Sequence, residues 1–241
     1  MLSKYVIPGS RVEIQEIGRK KLSDQTEQKK TYQTKVVDII SEDRIEVLMP
    51  MEKTKLILLP VNAQFDLYFY TSSGLFQCVA SVIDRYKSNN QYILLMELIS
   101  NLRKFQRREY YRLSCALEMS SRLLEKEEIE AIENNSSLIV PGLPLKRSVI
   151  VDISGGGLRF VANYAYEPDS LIYCKYNLVT GGAAREYVLI SKVLTVKELD
   201  NRPGVYEHRV QYINIDTEDR EEIIRFIFEE ERKYRKKEKG L

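Results

Sequence analysis

The sequence predicts an all-β protein: two small antiparallel β-barrels in series, the first of split-barrel type, followed by a C-terminal α-helix. Three observations predict it. Apolar residues recur at period two through most of the chain rather than at the helical 3.6. Short turn-forming clusters interrupt the runs at close intervals. A sustained helical pattern stands at the end of the chain. The 241 residues have room for one large or two small domains, and either can bury a core without a disulfide or metal staple.

The first strand series alternates from RVEIQEI onward and continues through YQTKVVDII, RIEVLMP, KLILLP, QFDLYFYT, LFQCVASVIDRY and QYILLMEL. These runs are β-branched and aromatic. Pro8-Gly9, Ser41-Glu42-Asp43, Pro50, Pro60 and Ser72-Ser73-Gly74 separate them, and such short, evenly spaced strands point to a small barrel or sandwich. Arg19 to Lys30 is polar apart from Leu22 and is expected to form an exposed loop. The basic stretch SNLRKFQRR breaks the alternation and reads as an inter-domain connection, so we expect domains over 1–101 and 102–241.

A second series begins at Tyr110: YYRLSCALEM, RSVIVDI, GLRFVA, SLIYCKYNLV, REYVLISKVLTVKEL and VYEHRVQYINI, with Gly181-Gly182 as a turn. Between its first two strands, SSRLLEKEEIEAIENNSS has helical spacing at Leu123, Leu124, Ile129 and Ile132, ending at Asn134-Asn135. The terminal DTEDREEIIRFIFEEERKYRKK offers Asp216 or Thr217 as a cap, acids in its first turn and bases in its last. Its stripe of Ile223, Ile224, Phe226, Ile227 and Tyr234 is expected to pack on the second barrel.

Composition excludes several classes. Hydrophobic content of 44% and charged content of 30% are ordinary for a soluble globular chain. The net charge of +2 provides no global field for a nucleic-acid polymer or an anionic membrane; positive charge is local, at Arg103 to Arg112 and Lys233 to Lys239. No apolar run is long enough to span a bilayer. The N-terminal segment lacks a signal-peptide hydrophobic region, which gives a cytoplasmic expectation. Cys78, Cys115 and Cys174 lie far apart in apolar runs and read as buried thiols in a reducing compartment. With His208 as the single histidine, no serine in a nucleophile-elbow pattern and no metal-ligand spacing, the expectation is a non-enzyme without metal or cofactor. His208 itself reads as a satisfied or surface imidazole.

Two segments stand apart. QRREYYRLS carries Arg107, Arg108 and Arg112. A guanidinium forms bidentate bonds to phosphate and stacks on aromatic faces, and a nucleotide presents both targets. In a straight strand Arg108 and Arg112 share a face ~13 Å apart, so converging on one ligand requires a bend; taken alone, the segment reads as a solvated basic linker. VDISGGGLRF carries Asp152, Ser154 and Gly155 to Gly157 between two strands. No helix follows the glycines, which excludes a dinucleotide fingerprint. A carboxylate accepts paired N–H donors such as those of guanine, a hydroxyl bonds phosphate or base, and glycine permits close backbone approach. By itself this segment is also compatible with a plain β-turn.

The order of arginine arm, strand, Asp-x-Ser-x-x-Gly turn, further strands and terminal helix resembles the PilZ domain, whose hallmark is Arg-x-x-x-Arg followed by Asp/Asn-x-Ser-x-x-Gly. Arg108 and Arg112 match the first element; Asp152, Ser154 and Gly157 match the second. The resemblance covers about residues 102 to 232 and implies a six-stranded barrel that binds cyclic di-GMP. IPGSRVEIQE, YQTKVVDI, RIEVLMPM and GLFQCVASV resemble the N-terminal barrel of the flagellar-brake (YcgR-like) proteins. The resemblance implies that Arg108 and Arg112 hold phosphate and stack on guanine, that Asp152 and Ser154 recognise guanine and neighbouring oxygens, and that Gly156 and Gly157 leave room for the ligand. The same resemblance implies that Arg107, just before the first motif arginine, favours a stacked cyclic di-GMP pair, with Gln106 a lesser contact. It further implies a flagellar motor partner (stator or rotor), recruitment to the flagellar basal body, and an output through a change of inter-domain arrangement. Two departures are visible: Arg209 stands where such domains often carry glycine, and the insertion Ser120 to Pro144 exceeds a minimal PilZ domain. Two rival readings stay open, a flavin-binding split-barrel oxidoreductase, which would be yellow when purified, and a single-stranded RNA binder with salt-steep affinity.

Overall fold

The computed structural model describes residues 2–17, 30–136 and 138–238, and the expected loop over Arg19 to Lys30 falls, apart from Lys30, outside them. The chain forms two compact units, Met1–Arg107 and Arg108–Leu241. Both are mainly antiparallel sheet, as the period-two alternation requires.

The first unit contains β1 (Arg11–Glu16), β2 (Thr31–Ile39), β3 (Arg44–Leu48), β4 (Met51–Glu52), β5 (Lys55–Leu56), β6 (Gln64–Thr71), β7 (Gly74–Ser88), β8 (Gln91–Leu98) and β9 (Arg103–Lys104). The sheet order is β6-β1-β2-β3-β8-β7-β9, and β6 also pairs with β7, so the sheet closes on itself with β9 appended to β7. Register converts alternation into a core: Val12 faces Phe69 and Ile14 faces Leu67, while Phe69 and Leu67 face Phe76 and Cys78 on β7. All of these are buried, since every second residue of a strand points to the same side. Asn89 and Asn90 join β7 to β8 with φ of 46° and 62°, the left-handed pair that a two-residue hairpin needs. The expected strand KLILLP forms only Lys55–Leu56, hairpinned with Met51–Glu52; the ladder ends there and Pro60, without an N–H, does not extend it.

The second unit contains β10 (Arg112–Leu123), α1 (Lys126–Glu133), β11 (Lys146–Ser154), β12 (Gly157–Ala162), β13 (Leu171–Thr180), β14 (Ala183–Leu199), β15 (Arg202–Tyr212) and α2 (Thr217–Glu238). Its six strands form a closed barrel in the order β10-β11-β12-β15-β14-β13, the count the motif resemblance implied. One interior rung runs Leu113–Ile153–Leu158–Val210–Val193, and each member is buried. Gly181 and Gly182, with φ of 60° and 86°, make the β13–β14 hairpin turn expected from sequence. Tyr176 and Tyr212 share a hydroxyl hydrogen bond of 2.8 Å inside the barrel, so two buried polar groups satisfy each other.

The terminal helix behaves as its pattern predicts, with a narrower stripe. Asp216 caps it by accepting the N–H of Asp219 at 2.8 Å. Ile223, Phe226 and Ile227 are buried, whereas Tyr234 is exposed. Arg185 of β14 donates to Asp219 and Glu222, and Tyr187 donates to Glu222 at 2.7 Å, fixing the first turns of α2 on the barrel. No helix among the described residues is long and apolar enough to cross a membrane.

The insertion helix is shorter than its apolar spacing suggested. Leu123 ends the preceding strand and Leu124 follows it directly, and α1 starts at Lys126 behind a capping box between Glu125 and Glu128. Glu128 is fully buried. Arg122 grips both its oxygens at 2.6 and 2.7 Å, and the N–H groups of Glu125 and Val140 donate to it at 2.7 and 2.8 Å. A buried carboxylate is tolerated only when paired and hydrogen-bonded in this way, and the cluster pins both ends of the insertion to β10.

Candidate ligand-binding site

The glycine turn and the arginine arm meet in the second unit. β11 ends at Ser154 and β12 begins at Gly157, leaving Gly155 and Gly156 as the connection. The Ser154 hydroxyl donates across the turn to the Gly157 carbonyl at 2.9 Å. A Cβ at Gly155 would lie 2.7 Å from Cδ1 of Tyr110 and 3.0 Å from two atoms of Ile224; one at Gly156 would lie 3.0 Å from the Tyr110 ring. The Tyr110 ring therefore rests on bare backbone. Arg220 of α2 sits over this ring at 5.4 Å and donates to its hydroxyl. At Gly157 a Cβ would lie 2.2 Å from the Val210 carbonyl oxygen, so only glycine lets β12 approach β15 there. A side chain at Gly156 would thus meet the Tyr110 ring, and one at Gly157 the β15 backbone.

Register brings the motif side chains together. In the β10–β11 ladder Arg112 faces Ser154, Leu113 faces Ile153 and Ser114 faces Asp152. Leu113 and Ile153 point into the core, so Arg112, Ser154, Ser114 and Asp152 stand on the outer side. Arg112 and Asp152 are diagonal neighbours, ~7–8 Å apart, and forty residues of sequence separation vanish in one strand pairing. Arg108 is exposed and precedes a bend over Glu109 and Tyr110.

The outer face continues beyond the motif. The Asp152 carboxylate lies 3.6 Å from Nη2 of Arg159, an ion pair too long for a hydrogen bond. Arg159 donates instead to Glu207 at 2.7 Å, and the other Glu207 oxygen accepts from Arg209 at 3.3 and 3.4 Å. Asp152 therefore keeps acceptor capacity for an incoming donor.

Arg107 belongs to the first unit. Its Nη1 lies 3.1 Å from Glu13, which Arg11 also contacts at 3.2 Å, and both guanidinium groups cover the Tyr70 ring. Arg103 donates to Gln77 at 3.1 Å and Phe105 packs on Tyr68 at 5.1 Å. Residues 103, 105 and 107 thus address the first barrel at strand periodicity, and Gln106 between them is exposed.

Among the described residues no His, Cys, Asp and Glu side chains group as metal ligands. Cys78 and Cys174 are buried and Cys115 partly so, all free thiols; burial pushes the Cys78 and Cys174 thiols up to about 12 and Cys115 to about 11, which removes nucleophilic character. His208 is fully buried, stacked on Phe160 at 4.4 Å. Its Nε2 accepts the Tyr166 N–H at 3.1 Å, and its Nδ1 has no hydrogen-bond partner among the described residues. Sequence reasoning did not find Tyr110, Arg220, Arg159 or Glu207. The one available signal was the aromatic Tyr110 standing within the arginine arm.

Comparison with known proteins agrees with this architecture. Residues 8–97 match the family model described as flagellar protein YcgR, and residues 101–229 match that of the PilZ domain. No curated protein matches the sequence. Among solved structures, the Bacillus subtilis inhibitor of motility (MotI/DgrA) is 14% identical over 94% of this chain and 98% of its own, with a TM-score of 0.71. Escherichia coli YcgR, solved in complex with c-di-GMP, is 12% identical over 96% of this chain and 88% of its own, with a TM-score of 0.47. Since the PilZ model alone spans more than half of the 241 residues, the chain belongs to the PilZ-domain family, with a YcgR-type module preceding its PilZ domain.

Proposed function

We propose that this protein is a cyclic di-GMP receptor that regulates flagellar motility. The observation that carries the reading is the β10–β11 register: it pairs Arg112 with Ser154 beside Asp152, the three residue types of the PilZ motif on one outer face. Arg108 and Arg112 would hold phosphate and stack on guanine, Asp152 would accept the guanine N–H donors, and the buried Ser154 would exchange its hydrogen bond to the Gly157 carbonyl for one to a neighbouring ligand oxygen. Gly156 and Gly157 would leave space for the ligand against the turn. Arg107 would contribute to a second ligand copy by exchanging its Glu13 contact for a phosphate. Family membership favours this reading over the flavin and RNA alternatives.

The arm is the stretch where one compact unit ends, at Arg107, and the next begins, at Arg108. Ligand that orders this stretch would bias the disposition of the two units, and a motor protein would read the result. The chain works as an effector rather than a catalyst.

Calorimetric titration with cyclic di-GMP, GMP and cyclic AMP tests the reading. The expected result is binding of cyclic di-GMP alone, lost in Arg108→Ala and Arg112→Ala with melting temperatures unchanged. Undiminished affinity in both variants would remove these arginines from the site, and absence of binding by the unaltered protein would end the receptor reading.

A further inference from the structure

The outer face carries more charge than the two motif arginines and Asp152 account for. Ser114 on β10 faces Asp152 on β11, Asp152 faces Arg159 on β12, and Arg159 faces Arg209 on β15. The neighbouring rung Leu113–Ile153–Leu158–Val210 is buried, so these four residues lie together on the outside of the barrel. With neighbouring strands about 4.8 Å apart, Asp152 and Arg209 are separated by about 10 Å of sheet, within reach of a long side chain extended over the surface.

Two arginines directly opposite each other on a sheet repel, and the way this repulsion is relieved is unequal. Glu207, two residues before Arg209 on the same strand face, binds Arg159 at 2.7 Å but Arg209 only at 3.3 and 3.4 Å. Arg159 also has Asp152 at 3.6 Å, and its side chain is 33% exposed. The Arg209 side chain is 60% exposed. Arg209 is therefore the cation on this rung with the loosest pairing and the greatest access, and Glu207 turns its head without consuming it.

We propose that Arg209 is a further ligand-binding residue, whose guanidinium, aligned by Glu207, makes a charge-assisted contact to a phosphate of the nucleotide held against Asp152. The proposal rests on the receptor reading above and extends its site from β10 and β11 across the barrel to β15. Glu207 is a positioning residue, acting through Arg209. A planar fork suits a phosphodiester better than an ammonium does.

The test is calorimetric titration of the full chain with cyclic di-GMP at two salt concentrations, for the unaltered protein, Arg209→Gln, Arg209→Ala, Arg209→Lys, Glu207→Gln and Arg108→Ala, each checked by thermal melting. Arg209→Gln keeps the stem packed and removes only the charge. The expected loss of affinity is roughly tenfold or more for Arg209→Gln and Arg209→Ala, with a weaker salt dependence and partial recovery in Arg209→Lys. Glu207→Gln is expected to lose a smaller factor that disappears in an Arg209→Gln background, which a purely structural role for Glu207 would not produce. If Arg209→Gln binds within twofold of the unaltered protein while Arg108→Ala loses binding, Arg209 is outside the site and the receptor reading stands. If the unaltered protein does not bind cyclic di-GMP, that reading fails and the Arg209 contact with it.

Discussion

Placing one methyl group at Gly155 tests whether the Tyr110 ring locks the arginine arm onto the glycine turn. The Cβ of Gly155→Ala would sit 2.7 Å from Tyr110 Cδ1 and 3.0 Å from two Ile224 side-chain atoms, against a comfortable carbon–carbon separation of about 3.5–4.0 Å. Overpacking of this kind costs about 1–3 kcal/mol. Gly155 does not have a positive φ, so alanine also returns about 0.4–1 kcal/mol by restricting the unfolded chain. The net expectation is a destabilisation of about 1–2 kcal/mol by urea unfolding. Truncating the ring with Tyr110→Ala removes the shorter contact and leaves only Ile224, so in that background Gly155→Ala should cost close to zero. The coupling between the two sites should be about 1–2 kcal/mol in a double-mutant cycle. Cyclic di-GMP affinity should fall in either single variant, because Arg108 and Arg112 flank the displaced ring and lose their preset geometry. Equal costs of Gly155→Ala in both backgrounds would show that the ring does not rest on the turn, and the account of how the arm is held would have to be abandoned.

Three further outcomes are expected. Gly157→Ala should be more damaging than Gly155→Ala, since the obstruction at 2.2 Å is backbone oxygen that only a shift of β15 can relieve; circular dichroism melting should show a loss above about 3 kcal/mol, and a normal melting curve would contradict the pairing. The Arg122 guanidinium, helped by the Glu125 and Val140 N–H groups and opposed by burial, holds the Glu128 carboxyl down at about 2, so its stabilisation is complete above the ordinary carboxylate value and is lost as pH falls toward 2. Glu128→Gln should cost about 3 kcal/mol at pH 7 by leaving Arg122 uncompensated and should flatten the acid limb of the stability profile, an effect absent if the cluster is dispensable. Burial lowers the His208 pKa, with an opposing contribution from the Tyr206 backbone; the unfolded chain therefore takes up a proton first, and stability should decline as pH drops below about 6.5. Replacing His208 by Phe should erase that decline, and an unaltered slope in urea titrations between pH 7.5 and 5.5 would exclude the imidazole as its source.

Local pattern and tertiary pairing contributed different parts of this protein. Alternation indicated most of the long strands and which side of each is apolar, because a strand's side chains repeat every two residues whatever it pairs with; it missed β9, which lies in the basic stretch read as a connection. The Asp216 cap, the Gly181-Gly182 hairpin and the two motifs are equally local, written within a few neighbouring residues. Alternation could not limit the run KLILLP to two paired residues, nor could helical spacing show that Leu123 ends a strand: in both, the pairing partner decides. The same holds at the site. That Arg112 meets Ser154, that Tyr110 fills the space above Gly155 and Gly156, and that Arg209 shares a rung with Asp152 all depend on a ring of six strands closing in one register. Such closure is set by the whole barrel at once, and no short window of sequence contains it.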